Sequence, residues 1–193
     1  LTYAFGLAKV VPIEDGSPYF DMLAEVAIPK MKDFNPHDIS NMLWAYANVG
    51  VSHSKLFAKA GETIIAMENL DEFWPQHLSN IVWAYATLNE KNPELFKKVA
   101  DHIAALDNSA LARFDPQALS NIVWAYATAQ ESHTKMFTKV AKHIVTLDKL
   151  DRFDPQNFSN IVWAYATAKE SHPKLFEKVA DHIVSLNDLD RFN

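Results

Sequence analysis

The sequence predicts an all-α fold, a right-handed α-solenoid of antiparallel helix pairs. Its period is about 39 residues, the spacing of the repeated tryptophans. Three observations carry that expectation. One phrase occurs four times, as Ser40-Asn41-Met42-Leu43-Trp44-Ala45-Tyr46 and again from Ser79, Ser120 and Ser159, placing tryptophans 39, 41 and 39 residues apart (44 to 83, 83 to 124, 124 to 163). Within a copy the apolar residues keep helical spacing, as Leu119, Ile122, Val123 and Tyr126 do at i, i+3, i+4 and i+7. Only four glycines accompany 49% hydrophobic content in 193 residues, which is enough for a substantial core and gives no sign of disorder. Each copy of such an array buries its apolar face only against its neighbours, so function belongs to an extended surface instead of a pocket.

Residues 1–33 read as a degenerate partial repeat. Tyr3-Ala4-Phe5 resembles the later Trp-Ala-Tyr, and Tyr19-Phe20 falls where Leu-Phe opens the second helix of later copies. Full repeats follow at 34–72, 73–113, 114–152 and 153–191, and residues 192–193 begin a further one. A repeat opens on Phe, a short polar residue and Pro: Phe34-Asn35-Pro36, Phe114-Asp115-Pro116, Phe153-Asp154-Pro155. The Asn or Asp oxygen is a natural acceptor for an unpaired first-turn amide, and Pro suits the first helical position, where its missing N–H costs nothing. The second copy, Phe73-Trp74-Pro75, gives up that cap, and its Trp is expected to pack over the junction.

Helix A is expected over 116–130, with Ala125, Ala127 and Ala129 letting neighbouring helices approach closely. Helix B starts near Ser132-His133 or Ser171-His172-Pro173, read as a cap followed by Pro. It buries Leu175, Val179, Ile183 and Leu186 beside Phe176 and Ala180, and turns Lys174, Glu177, Lys178, Asp181 and Asp188 to water. A loop such as 148–152 returns to the next Phe. Ser109-Ala110 is the two-residue excess behind the longer period, placed in that loop where insertions are tolerated. Neither end supplies the polar cap that a solenoid needs, so the chain is expected to be part of a longer array.

Composition narrows the function. The formal charge is -6, from 24 acidic against 18 basic residues, which does not favour non-specific nucleic-acid binding. Cysteine is absent, which removes disulfides, thiolate zinc sites and a cysteine nucleophile. The longest uncharged runs, such as 116–130, contain Gln, Ser, Asn and Thr and fall short of the roughly 20 apolar residues of a bilayer span.

The run Pro116-Gln117-Ala118-Leu119-Ser120-Asn121-Ile122-Val123-Trp124-Ala125-Tyr126-Ala127 resembles the Pro-x-x-Leu-x-Asn-x-x-Trp-Ala-x-Ala core of octotricopeptide-type repeats. The likeness covers 34–193 well and 1–33 loosely. It implies a plastid or mitochondrial factor, related to FAST-kinase-like arrays, that binds RNA and controls transcript maturation, stability or translation.

Comparing the copies separates scaffold from candidate readout. Phe, Pro, Leu, Trp, Ala and Tyr hold constant and read as core. The mid-helix asparagines Asn41, Asn80, Asn121 and Asn160 are poor helix formers. With Trp44, Trp83, Trp124 and Trp163 they are expected to form an inter-repeat ladder. Variation gathers after the proline, at His37, Gln76, Gln117 and Gln156 and then at Asp38, His77, Ala118 and Asn157. Helical-repeat RNA readers use two or three polar side chains per base, and these pairs fit that arrangement. The plainer alternative is that helix starts tolerate drift among small polar residues.

Phosphate contacts would fall to Lys59, Lys98, Lys139 and Lys178 on helix B and to Arg113, Arg152 and Arg191 before the next Phe. Helix A, over 116–130, holds no Lys or Arg, and the lysines of helix B have acidic neighbours such as Asp101 and Asp181 for local ion pairs.

No metal, catalytic or phosphate-loop motif occurs, so neither a cofactor nor a small-molecule substrate is expected. The leading reading is single-stranded RNA binding without chemistry. The rival is a scaffold that grips protein subunits of a larger assembly.

Overall fold

The computed structural model describes residues 17–186, with side chains from residue 18. Among them every regular element is helical. The order is α1 (Ser17–Ala27), a 3-10 segment (Ile28–Asp33), α2 (Pro36–Val49), α3 (Ser54–Ala66), α4 (Pro75–Thr87), α5 (Pro93–Ala105), α6 (Asn108–Leu111), α7 (Pro116–Ala129), α8 (Thr134–Thr146), α9 (Pro155–Thr167) and α10 (Pro173–Ser185). The expected all-α class is therefore present, with A helices α2, α4, α7 and α9 and B helices α3, α5, α8 and α10. Tyr3, Phe5, Asp188, Arg191 and residues 192–193 lie outside the described residues. The chain divides into two compact units, 1–99 and 100–193.

The A helices begin as the sequence requires. Asn35, Asp115 and Asp154 accept from the third helical amide at 2.9, 2.7 and 2.7 Å, each with Pro at the start. They end on a left-handed residue: Gly50 (φ 74), Asn89 (φ 54), Gln130 (φ 59) or Lys169 (φ 57). That turn lets the carbonyls of Tyr46, Tyr85, Tyr126 and Tyr165 accept from Val51, Glu90, Glu131 and Glu170. The B helices start on an unforeseen residue. His53 and His133 are the caps, their Nδ1 atoms accepting from the amides of Leu56 and Met136 at 3.2 Å. In the second copy Asn92 does the same for Leu95 at 3.1 Å. The two-residue excess also has a structure. It forms the short helix α6, capped by Asp107, which accepts from the Ala110 amide at 2.8 Å.

In unit 1, α2 packs along α4, α3 meets the 3-10 segment, and α1 touches α3. In unit 2, α7 packs along α9 and α8 meets α10. The A helices bury the expected stripe: Leu119, Ile122, Val123 and Tyr126 are at most 1% exposed. Three of the inner tyrosines also tie their A helices to the preceding B-type helix. The hydroxyls of Tyr46, Tyr85 and Tyr165 donate to the carbonyls of Phe20, Phe57 and Phe137 at 2.6, 2.5 and 2.7 Å. The rings of each pair meet edge to face at about 5 Å. Burial, reinforced by Asp21, Glu90 or Glu170, pushes these phenols far above their usual pKa and holds them as donors. Phe20 thus does in α1 what Phe57 does in α3.

The terminal face is less closed. Of the four residues expected at the core of α10, Leu175 and Val179 are buried and Ile183 and Leu186 only partly so, while Ala180 is exposed.

Candidate functional site

The first variable position is open and the second mostly is not. His37, Gln76, Gln117 and Gln156 are exposed, as is Asp38. His77, Ala118 and Asn157 are 9%, 4% and 7% exposed. The expectation that both positions face a ligand is corrected for these three by the geometry of the first turn. A side chain at that place folds back on the amide before the helix. His77 Nδ1 accepts from Trp74 N–H at 3.2 Å and Asn157 Oδ1 from Asp154 N–H at 3.1 Å, while Asp38 makes the longer 3.4 Å version with Asn35. At Asp38, His77 and Asn157 variation is a choice of capping partner, while Ala118 is buried without one. Trp74 is 63% exposed and stacks on His77 at 5.9 Å, covering the junction in place of a side-chain cap. Burial, with His37 nearby, lowers the His77 pKa, in keeping with a ring nitrogen that must stay unprotonated to accept.

The ladder residues occupy a half-open face. Asn41, Asn80, Asn121, Asn160, Trp44, Trp83 and Trp124 are all of intermediate burial, and Trp163 is 46% exposed. The tryptophans are therefore not core, and the fully enclosed aromatics are the tyrosines and phenylalanines. In unit 2 the Trp124 and Trp163 rings lie side by side at 6.5 Å and 34°. The asparagines do not form the expected ladder in the bonds seen. Asn41 bonds its own-helix neighbour His37 at 2.9 Å, and the bond between neighbouring A helices runs from Asn157 Nδ2 to Ser120 Oγ at 3.3 Å. Three of the four constant serines turn inward: Ser40, Ser79 and Ser120 donate to the carbonyls of His37, Gln76 and Gln117 at 3.1 Å, while Ser159 is exposed. An open stripe of Gln, Asn and Trp is left on each A helix, with His37 in place of Gln on α2.

The lysines divide. Lys98 Nζ donates to the carbonyls of Ile65, at 2.8 Å, and Met67, and Lys178 Nζ donates to Leu147 O at 2.6 Å. Met67 and Leu147 end the preceding B helices, so each lysine caps a neighbour's negative pole. These two are corrected from phosphate ligands to structural caps, and their expected partners Asp101 and Asp181 are not used by them. Lys59 pairs with Glu62 at 3.1 Å. Lys139 lies beside Asp107, whose carboxyl it helps hold below its usual pKa, after the stronger effect of the Ala110 amide and the Ser109 hydroxyl. Arg113 and Arg152 are exposed, and Arg191 lies outside the described residues.

Asp101 instead accepts from His133 Nε2 at 3.0 Å. One imidazole thereby caps its own helix through Nδ1 and grips the previous copy through Nε2. The recurrent Ser-His before helix B was the available signal. Among the described residues no group of acidic and histidine side chains could hold a metal, and no helix is long and apolar enough to cross a membrane. No protein-family model matches the chain, and no curated protein matches it.

Proposed function

We propose that the chain is a segment of a right-handed helical-repeat solenoid that binds single-stranded RNA without chemistry of its own. The observation that carries this reading is the open stripe on the A helices. Each presents an indole and an Asn, with Gln four residues before the Asn on α4, α7 and α9 and His37 at that place on α2, and only Asp38 brings a carboxylate to these four helices. An indole face accepts any base by stacking, worth about 1–3 kcal/mol per base. Side-chain amides both donate and accept, which suits the edges of unpaired bases. The likeness of the repeat to octotricopeptide-type arrays supports the same reading and suggests work on plastid or mitochondrial transcripts.

The stripe has no Lys or Arg, and Lys98 and Lys178 are committed to helix ends. Affinity on this reading comes from stacking and hydrogen bonding, and few counterions are released. The logarithm of the binding constant should then fall only shallowly with the logarithm of salt, about 0.7 per phosphate contacted. The same neutrality, with the -6 net charge, favours a second reading: a protein segment laid along the stripe.

Fluorescence anisotropy with pooled single-stranded RNAs at low salt tests the first reading. Trp163→Ala should weaken binding by about 1–3 kcal/mol and leave the melting temperature nearly unchanged, because the ring is 46% exposed. If the full-length protein binds no RNA but retains protein partners after nuclease treatment, the second reading takes over.

A further inference from the structure

We propose that the third and fourth copies form a binding site for a phosphate-bearing small molecule, separate from the A-helix stripe. An open cleft of about 860 Å3 lies between the C-terminal half of α8 and the start of α10. Lys139, Lys142, Lys174, His143 and His172 line it, and among the described residues no carboxylate does. Ala141, Val145 and Leu175 supply apolar wall, and Asn108, Thr146 and Ser171 add neutral polar groups. Cleft volumes of about 300–1,000 Å3 are those of small-molecule sites, with mostly apolar walls and a few convergent polar groups.

The charge arises from one reversal in the repeat. The place of Lys142 is held by Glu62, Asp101 and Asp181 in the other copies. In the second copy that acid matters, because Asp101 binds His133 of the next copy at 3.0 Å. In the third copy a lysine replaces it beside the corresponding His172, so the partner carboxylate of that histidine becomes a cation. His172 also differs from His53 and His133 in making no side-chain cap bond. Its ring instead meets Tyr165 edge-on at 5.4 Å.

Lys139 is likewise spared from the duty of Lys98 and Lys178. In the third copy the lysine sits near Asp107, which caps α6, instead of capping a carbonyl. Among the described residues Asp107 is an acidic group that lies near this cluster, and it caps α6 through Ala110 and Ser109. Burial and then Lys139 lower the His143 pKa, as expected of a partly buried imidazole held close to a like charge. Three ammonium groups around an apolar wall fit a ligand with several phosphate oxygens and an apolar body, such as a nucleoside polyphosphate.

Calorimetric titration of the full chain with ATP, inorganic tripolyphosphate and adenosine tests this. ATP should bind most tightly, tripolyphosphate more weakly and adenosine least. Lys142→Glu, which restores the residue type of the other copies at an exposed position, should weaken ATP by about tenfold or more, from reversing one charge near the ligand. Lys97→Glu, on the exposed side of α5, should leave ATP binding unchanged and serves as the control. Absence of ATP and tripolyphosphate binding overturns the proposal, as does equal weakening by both variants. So does RNA binding that Lys142→Glu abolishes while ATP fails to bind, which would assign the cleft to a nucleic-acid backbone. The A-helix reading is tested by Trp163→Ala, so either proposal can fail alone.

Discussion

At Tyr85 a single hydroxyl joins two copies of the repeat. It is buried, it donates to Phe57 O at 2.5 Å, and its ring packs edge-on against Phe57 at 5.0 Å. Tyr85→Phe keeps the ring and removes the donor, so chemical denaturation should show a loss of about 1–2 kcal/mol with unchanged helical content. His77 gives a different prediction. Its folded pKa lies below the ordinary 6.5, because burial and His37 disfavour the charged form. The unfolded chain therefore takes up a proton that the fold resists, and stability is lost as pH falls below about 6.5 toward the folded value. His77→Asn should keep the cap, because Asn157 fills the same seat at 3.1 Å. Thermal melts between pH 7 and pH 5 should then show a smaller acid loss than the parent, with a remainder from His143, which burial and Lys139 also depress. The sequence showed that this position varies. It did not show why, since a capping atom and a recognition atom are the same chemical types until their neighbours are known.

At the level of helices, starts were legible because Pro and Asn or Asp act locally, within one turn. The histidine caps act over the same three residues, but histidine is not among the preferred capping types, and among the described residues the α6 turn has no counterpart in the other copies. The lysine row was misread for a further reason. A regular charge on an amphipathic helix looks solvated, yet Lys178 reaches back 31 positions to Leu147 O at 2.6 Å. Lys178→Met should therefore cost about 1–2 kcal/mol, as a charged donor is taken from a helix end. Lys59→Met removes a lysine from the same row whose Glu62 partner is 68% exposed, and it should cost no more than about 0.5 kcal/mol. Parallel urea titrations of the two variants separate the roles, and equal losses would contradict the capping account.

For the chain as a whole, periodicity carried the helical class, because apolar residues keep helical spacing in each copy. It could not tell which constant residues are sealed and which are open. Trp124 and Tyr126 are equally invariant across the copies, but only the tyrosine points inward, because two residues turn a helix by about 200°. Invariance therefore marked both the core and the candidate face. The acidity that argued against RNA is also unevenly placed: three of the four A helices carry no Asp, Glu, Lys or Arg, so net charge describes the rest of the surface.

The tyrosine and lysine links bridge only 26 to 33 positions of sequence. Chains whose contacts are so local fold quickly and can start from more than one place, because little loop entropy must be spent before the first reward. They also open piecemeal. Deuterium uptake followed by mass spectrometry should find slow exchange in α4 and α7 and faster exchange in α10, whose inward residues are less covered, with no single rate for the whole chain.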